Sequence, residues 1–228
     1  MVPREAELEI DSKSYYRYPN SSTPSIRIRQ EIVKRSLDFV LATLGMFLLL
    51  PVFLAVAIAI KLEDPKGNVF FQQKRVGKNG KHFQMYKFRS MVSNADHILN
   101  QLLHLNEVNG AMFKMKEDPR VTRVGRFIRR TSLDELPQFL NVLKGEMSIV
   151  GPRPPLPREV ERYSGYDKQR LQVTPGCTGL WQVSGRNSLD FNAMVELDLE
   201  YIRKRSIWLD IKLIFRTIKV LLGAKDAY

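Results

Sequence analysis

Two adjacent carboxylates, Asp134 and Glu135, lie between positive charges that the chain holds in place. Arg129 and Arg130 come just before them. Arg153 follows in Gly151-Pro152-Arg153-Pro154, where the prolines stiffen the backbone toward polyproline geometry. Arginine presents a planar fork that pairs bidentately with phosphate oxygens and stays charged at any working pH. A carboxylate in such surroundings can attack phosphorus and form an acyl phosphate. Its neighbour can hold a divalent cation that bridges phosphate oxygens and offsets their charge. Without that neutralisation the anion would repel the carboxylate that must attack it. The residue types and their spacing suit a phosphate ester.

The same residues also fit a structural role. Ser132-Leu133-Asp134-Glu135 has the spacing of a capping box, with Ser132 at the N-cap and Glu135 at N3. Alternatively Asp134 is itself the N-cap, which puts Pro137 at N3, where a missing N–H costs nothing. Both readings predict a helix that begins beside the acid pair, continues through Phe139, Leu140, Val142 and Leu143, and stops at Lys144-Gly145. Capping and catalysis are compatible at one site.

Other elements must bring further groups to this pair. VFFQQKRVG and KHFQMYKFRSM flank Lys78-Asn79-Gly80, which predicts a β-hairpin. Lys87 and Arg89, two residues apart, fall on one face of its second strand, either as functional groups or as a solvated basic edge. Helical spacing recurs from Ser93 to Glu107 and from Phe191 to Arg205. PGCTGLWQVSGRN reads as turn, short strand, turn, with glycines that permit close backbone approach.

The longest apolar run, FVLATLGMFLLLPVFLAVAIAI, covers 22 uncharged residues from Phe39 to Ile60. As a straight helix it would extend about 33 Å, enough to cross a bilayer. Lys34 and Arg35 precede it while Lys61 and Lys66 follow it, so both flanks carry the positive charge typical of a cytoplasmic side. Pro51, near the middle, removes a backbone bond and invites a bend. The residues alone leave two topologies open, a span and a helix that enters and leaves on one face.

Charge bounds the partners. With 36 Lys and Arg against 24 Asp and Glu, the formal charge is +12, which implies an anionic partner: nucleic acid, acidic lipid or a phosphorylated substrate. Between Lys114 and Arg130, Val121, Val124, Phe127 and Ile128 form an apolar stripe with Arg123, Arg126 and Arg130 off it. IWLDIKLIFRTIKVLLG likewise sets Trp208, Ile211, Phe215 and Ile218 beside Lys212, Arg216 and Lys219. Such helices suit a membrane surface, or else a solvated face on an ordinary core. The single cysteine, Cys177, forbids an intrachain disulfide. His82, His97 and His104 lack metal-ligand spacing. Residues 1–30 read as a weakly ordered tail.

Several ordered blocks together resemble the monotopic phosphoglycosyl transferases, the bacterial sugar transferases that act on polyprenyl phosphate. They are the apolar segment, YKFRSM, DPRVTRVGRFIRRTSLDELPQ, NVLKGEMSIVGPRP and PGCTGLWQVSGRN, and they extend from Lys34 to about Gly223. The resemblance implies a mainly helical α+β domain over residues 31–228, held at the cytoplasmic face of the inner membrane by a re-entrant bent helix at 36–62, with Pro51 at its bend. It implies transfer of a sugar 1-phosphate, most simply of a hexose, from a UDP-sugar to polyprenyl (undecaprenyl) phosphate, with release of UMP. Asp134 would be the nucleophile and Glu135 the ligand of Mg²⁺. Lys87, Arg89, Arg129, Arg153, Gln182 and Arg186 would bind substrate. No nucleic acid enters such a reaction, membrane lipid surrounds it, and assembly into a homo-oligomer is compatible with it. A membrane-anchored basic adaptor or nucleic-acid binder would also account for the charge, but would leave the acid pair and GPRP without a purpose.

Overall fold

A computed structural model describes residues 24–102, 115, 118–185 and 189–223. Two helices open it, α1 (Pro24–Leu48) and α2 (Leu50–Glu63). They meet at a bend of 60° at Leu49. Pro51 sits in the first turn of α2, so the break falls where proline has no N–H to return to the preceding turn. No single helix among the described residues is long and apolar enough to cross a membrane, whereas the bent pair passes that test jointly. α1 also begins within the stretch expected to be a tail. Residues 1–23 of that tail lie outside the described residues.

Strands β1 (Phe70–Val76) and β2 (His82–Phe88) form the expected antiparallel hairpin. Its turn contains Asn79 and Gly80 at φ of 57° and 78°, the left-handed geometry that these two residue types tolerate best. The register pairs Phe71 with Lys87, Gln73 with Met85 and Arg75 with Phe83, so these six side chains share one face. Next come α3 (Ala95–Leu102), α4 (Arg123–Arg130) and α5 (Gln138–Lys144). The predicted continuation of α3 to Glu107 lies outside the described residues. α5 ends as expected, with Gly145 in the left-handed region at φ 84°.

The short strand expected in PGCTGLWQVSGRN is present as Gly176–Thr178, but its partner was not legible beforehand. β3 (Ser148–Val150) pairs in parallel with β4 (Gly176–Thr178), after the short helix α6 (Pro157–Val160). Beyond the pairing the two backbones almost touch, since a Cβ on Gly176 would lie 2.0 Å from the amide nitrogen of Gly151. Only glycine fits there. Helices α7 (Phe191–Lys204) and α8 (Ile207–Gly223) complete the chain. Most of the described residues are in helices joined by two small sheets, the mainly helical α+β class expected.

Four apolar clusters hold the described parts together, one of them joining Val76 of β1 to Val160, Tyr163 and Leu171. Ala42, Phe83, Met85, Val142 and Met147 join α1, the hairpin and α5. Val56, Ile60, Phe88 and Ile128 join α2 to β2 and α4. Val150, Val195, Leu199, Tyr201 and Leu213 join β3 to α7 and α8. Each fully buried aliphatic chain of this kind contributes about 1.5–3 kcal/mol relative to exposure. Both halves of the bent pair are therefore packed onto the domain along one side. Their other side exposes Phe39, Val40, Leu44, Phe47, Leu48, Leu54, Ile58 and Leu62.

Candidate active site

The acid pair is positioned by a strained turn, and not by a helix cap. α4 stops at Arg130, and Ser132 adopts left-handed geometry at φ 56° with no side-chain capping bond. For a serine this conformation is uncommon and costs on the order of 1 kcal/mol or more. Leu133–Glu135 then forms one 3₁₀ turn, and α5 begins only after Pro137. Both capping readings are overturned. Leu133 and Leu136 pack against the cluster around Ile128, which fixes the turn and leaves the intervening carboxylates facing the hairpin.

Lys87 of β2 reaches this turn. Its Nζ lies 2.6 Å from Glu135 Oε1 and 3.9 Å from Asp134 Oδ2. Asp134 is buried, and burial pushes its carboxyl up to about 6 against the pull of Lys87 and Arg129 and with the push of Glu135. Burial acts on Glu135 in the same sense, but Lys87, Arg153 and Arg75 outweigh it and hold that carboxyl below its usual range. Neighbouring acids with opposite shifts have separate jobs available to them. The weakly held charge of Asp134 suits a nucleophile, and the firmly ionised Glu135 suits a cation ligand.

The remaining predicted residues divide. Arg153 is exposed between buried Pro152 and Pro154, and it lines a narrow cleft with Lys87, Glu135 and Gln182. Gln182 donates from Nε2 to the Cys177 carbonyl at 3.3 Å. Arg129 donates from Nε to Ser90 Oγ at 2.8 Å, and its charge favours ionised Asp134. Arg89 lies one residue past β2 and is held by Asp64, 2.6 Å from that carboxylate and 2.8 Å from its carbonyl. The structure thus places it at the end of α2 and outside the cleft lining. Arg186 lies outside the described residues.

The sequence reading missed a charged residue of the cleft. Arg75, next to last in β1, is 4% exposed and lines the cleft beside Arg153 and Glu135. Its Nη1 donates to the Pro154 carbonyl at 3.0 Å and its Nη2 to Gln73 Oε1 at 2.6 Å. Strand alternation, which puts Arg75 on the Lys87 face, was the available signal. The buried Asn141 closes the other edge of the hairpin, accepting from Tyr86 N at 3.0 Å and donating to Gln84 O at 2.7 Å.

No group of three or more His, Cys, Asp or Glu among the described residues forms a preassembled metal cage. The donors that are present fit Mg²⁺ nonetheless. That ion commonly takes one or two carboxylates and completes its shell with substrate phosphates and water. Glu135 is ionised and half-buried at the cleft, with Oε1 bonded to Lys87.

Residues 29–224 match the family described as bacterial sugar transferase. The chain belongs to that family. It is 50% identical over 198 residues to the galactosyl transferase CpsE of Streptococcus agalactiae, covering 85% of this chain and 44% of that protein. It is 47% identical over 197 residues to the UDP-glucose:undecaprenyl-phosphate glucose-1-phosphate transferase of Escherichia coli, covering 82% and 39%. Against the exopolysaccharide production protein ExoY of Rhizobium meliloti the identity is 39% over 210 residues, covering 90% of this chain and 92% of ExoY. The chain therefore spans less than half the length of the first two and nearly all of the third. The cleft of this bacterial sugar transferase, from Arg75 to Gln182, lies wholly within the matched range.

Proposed function

We propose that the chain transfers a sugar 1-phosphate, most simply of a hexose, from a UDP-sugar to polyprenyl phosphate at the cytoplasmic face of the inner membrane. The carrying observation is the buried Asp134, raised to about 6 yet 3.9 Å from the ammonium of Lys87. At neutral pH its carboxylate is ionised, poorly hydrated and close to a cation that offsets an approaching phosphate. A carboxylate oxygen of Asp134 attacks the sugar-bearing phosphorus, the bond to the bridging oxygen breaks, and that oxygen leaves with UMP. The polyprenyl phosphate oxygen then attacks the same phosphorus, the bond to Asp134 breaks, and the carboxylate is restored. Neither step needs a proton to move. Burial of Asp134 keeps water from the aspartyl phosphosugar between the steps.

Glu135 would hold Mg²⁺, which when bound supplies charge neutralisation across the diphosphate. Lys87 keeps Glu135 oriented, and Arg153 grips phosphate from its proline-stiffened loop. The exposed apolar side of the bent α1–α2 pair supports a re-entrant anchor in one leaflet, beside the outlet of a lipid-linked product. The adaptor and nucleic-acid readings would leave a buried, charge-compensated dyad without use. The test is incubation of the purified chain with UDP-glucose, UDP-galactose and related donors, Mg²⁺ and undecaprenyl phosphate, scoring UMP. UMP formed with one donor only in the presence of the lipid or in a stoichiometric burst is expected. No UMP with any donor overturns the reading.

A further inference from the structure

A cavity of about 360 Å³ lies away from the acid pair, between α1, the end of α5, β3 and the end of α7. It shares no lining residue with the cleft that holds Lys87 and Glu135. Its volume falls at the lower end of the range of small-ligand sites. Lys34, Arg35 and Arg205 bring cations to its wall, and Glu31 and Asp38 bring carboxylates. Two of the cations are already matched, since Lys34 lies 2.6 Å from Asp210 and Arg205 2.5 Å from Glu31. Arg35 differs. Its Nη1 and Nη2 donate to the Val142 and Leu143 carbonyls at the end of α5, and no carboxylate lies within ion-pair distance of it among the described residues. Carbonyls at a helix end carry only partial negative charge, so part of the guanidinium charge stays unmatched at the cavity.

The place of Arg35 on α1 decides what supplies the missing anion. It precedes Phe39, the first residue of the uncharged run, by four positions, about 6 Å along a helix. Phe39 and Val40 are exposed, as are Ile32 and Val33. When the bent pair enters a leaflet, Arg35 therefore stands at the depth of the lipid phosphates, where basic pockets between helices hold anionic headgroups. The lining is amphipathic to match. Ile32, Met147 and Val173 give it an apolar wall, and Ser36 and Thr174 add hydroxyls. Free phosphate would leave the apolar wall unused, whereas a headgroup with its glycerol carbons uses both.

Resting on the membrane anchorage proposed above, we propose that this cavity is a second binding site, which holds the phosphate headgroup of an anionic phospholipid, with Arg35 as its charged contact and the glycerol carbons against Ile32, Met147 and Val173. The bound lipid is not a reactant. It braces α1 against β3. Ile149, which follows the lining residue Ser148, already donates its amide to Asp38 of α1 at 3.0 Å, and β3 runs directly into Gly151-Pro152-Arg153-Pro154.

The full chain in neutral detergent is titrated with dihexanoyl phosphatidylglycerol, dihexanoyl phosphatidylcholine or inorganic phosphate, and binding is read from the melting temperature and by native mass spectrometry. Saturable binding of one phosphatidylglycerol, about tenfold or more tighter than phosphatidylcholine, is expected. Arg35→Gln should weaken it by about tenfold or more, since a charge-assisted bond becomes a neutral one. Ser36→Trp, at an exposed lining position, should block the cavity while leaving every charge in place, so the test stands even if Arg35→Gln folds poorly. Arg126→Gln removes the same charge from the exposed face of α4, outside the cavity, and should leave binding unchanged. Inorganic phosphate that stabilises the chain as well as phosphatidylglycerol does would overturn the lipid site. Equal binding of the two lipids would overturn it as well, and undiminished binding in Ser36→Trp would show that the lipid settles on general basic surface. The titration needs no bilayer, and phosphatidylcholine vesicles test the anchor separately. A chain that does not bind those vesicles overturns the anchorage reading, while the titration still decides the cavity.

Discussion

At the scale of the residue, the role proposed for Asp134 bears on both the chemistry and the stability. Asp134→Asn keeps the shape but is a poor nucleophile, so turnover and the phosphosugar adduct seen by intact mass should both vanish. Because the carboxyl sits at about 6 when folded against 3.8 for the ordinary group, the folded state binds its proton more tightly. Stability from this group is therefore present in acid and lost as pH rises from about 4 through about 6. The asparagine variant escapes that loss and should melt higher at pH 7, by on the order of 1–3 kcal/mol, with the difference fading toward pH 4. Equal melting at both pH values would remove the burial argument. The rate of adduct formation should rise between pH 5 and 7, and Lys87→Met should move that rise to higher pH. Glu135→Gln should weaken the response to added Mg²⁺, because an amide is a poorer ligand for a hard cation. An unaltered Mg²⁺ titration would place the ion elsewhere.

At the scale of elements, the end of the bent helix pair sets the position of the dyad. Glu63, the last residue of α2, accepts from the Arg123 and Val124 amides at 2.7 and 2.9 Å, and so stabilises the N-terminus of α4. The next residue, Asp64, holds Arg89 and the Ser93 amide. The far end of α4 leads directly into the strained Ser132 turn. Glu63→Gln should cost about 0.5–1 kcal/mol in thermal unfolding and lower turnover while membrane retention persists. Pro51 offers a separate test. Cysteines at positions 25 and 68 in a Cys177→Ser background should both resist an impermeant thiol reagent in intact cells. Labelling of one alone would demonstrate a span. In Pro51→Leu, a fraction of molecules should expose position 25 outside.

At the scale of the whole molecule, large apolar side chains are exposed on α8 as well as on the bent helix pair. Trp208 and Phe215 of α8 are 77% and 68% exposed, while Asp210 and Leu213 of the same helix are buried. Lys34 reaches Asp210 at 2.6 Å, so α8 is locked to α1, whose continuation exposes the apolar flank. Exposed apolar side chains of this kind on α8 suit the bilayer contact proposed above. Replacing Trp208 and Phe215 together by serine should weaken binding to vesicles containing anionic lipid by tenfold or more, since each ring contributes about 1.5–3 kcal/mol when buried. Thermal unfolding in detergent should hardly change, because neither side chain supports the core. Loss of folding in that variant would mean that α8 packs on protein.

The sequence by itself determined whatever depends on local geometry. The hairpin turn at Asn79-Gly80, the end of α5 at Gly145, the bend near Pro51 and the apolar stripe of α8 all follow from backbone preferences or from periodicity within one element. The acid pair and the proline-flanked arginine were legible for the same reason: stiff local backbone and unusual charge mark them out. Tertiary structure alone decided what depends on distant partners. The short strand after Pro175 was legible from its turns, but the three-residue β3 is too short for alternation to reveal it, and their parallel pairing needs a long crossover that no window contains. The capping box failed because burial of Leu133 and Leu136 in a cluster built by α2 and β2 outweighed a local side-chain bond. Arg89 and Arg75 carry the same charge, yet a carboxylate at the end of α2 claims the first, while the close crossing of Gly151 and Gly176 brings the GPRP loop over the second.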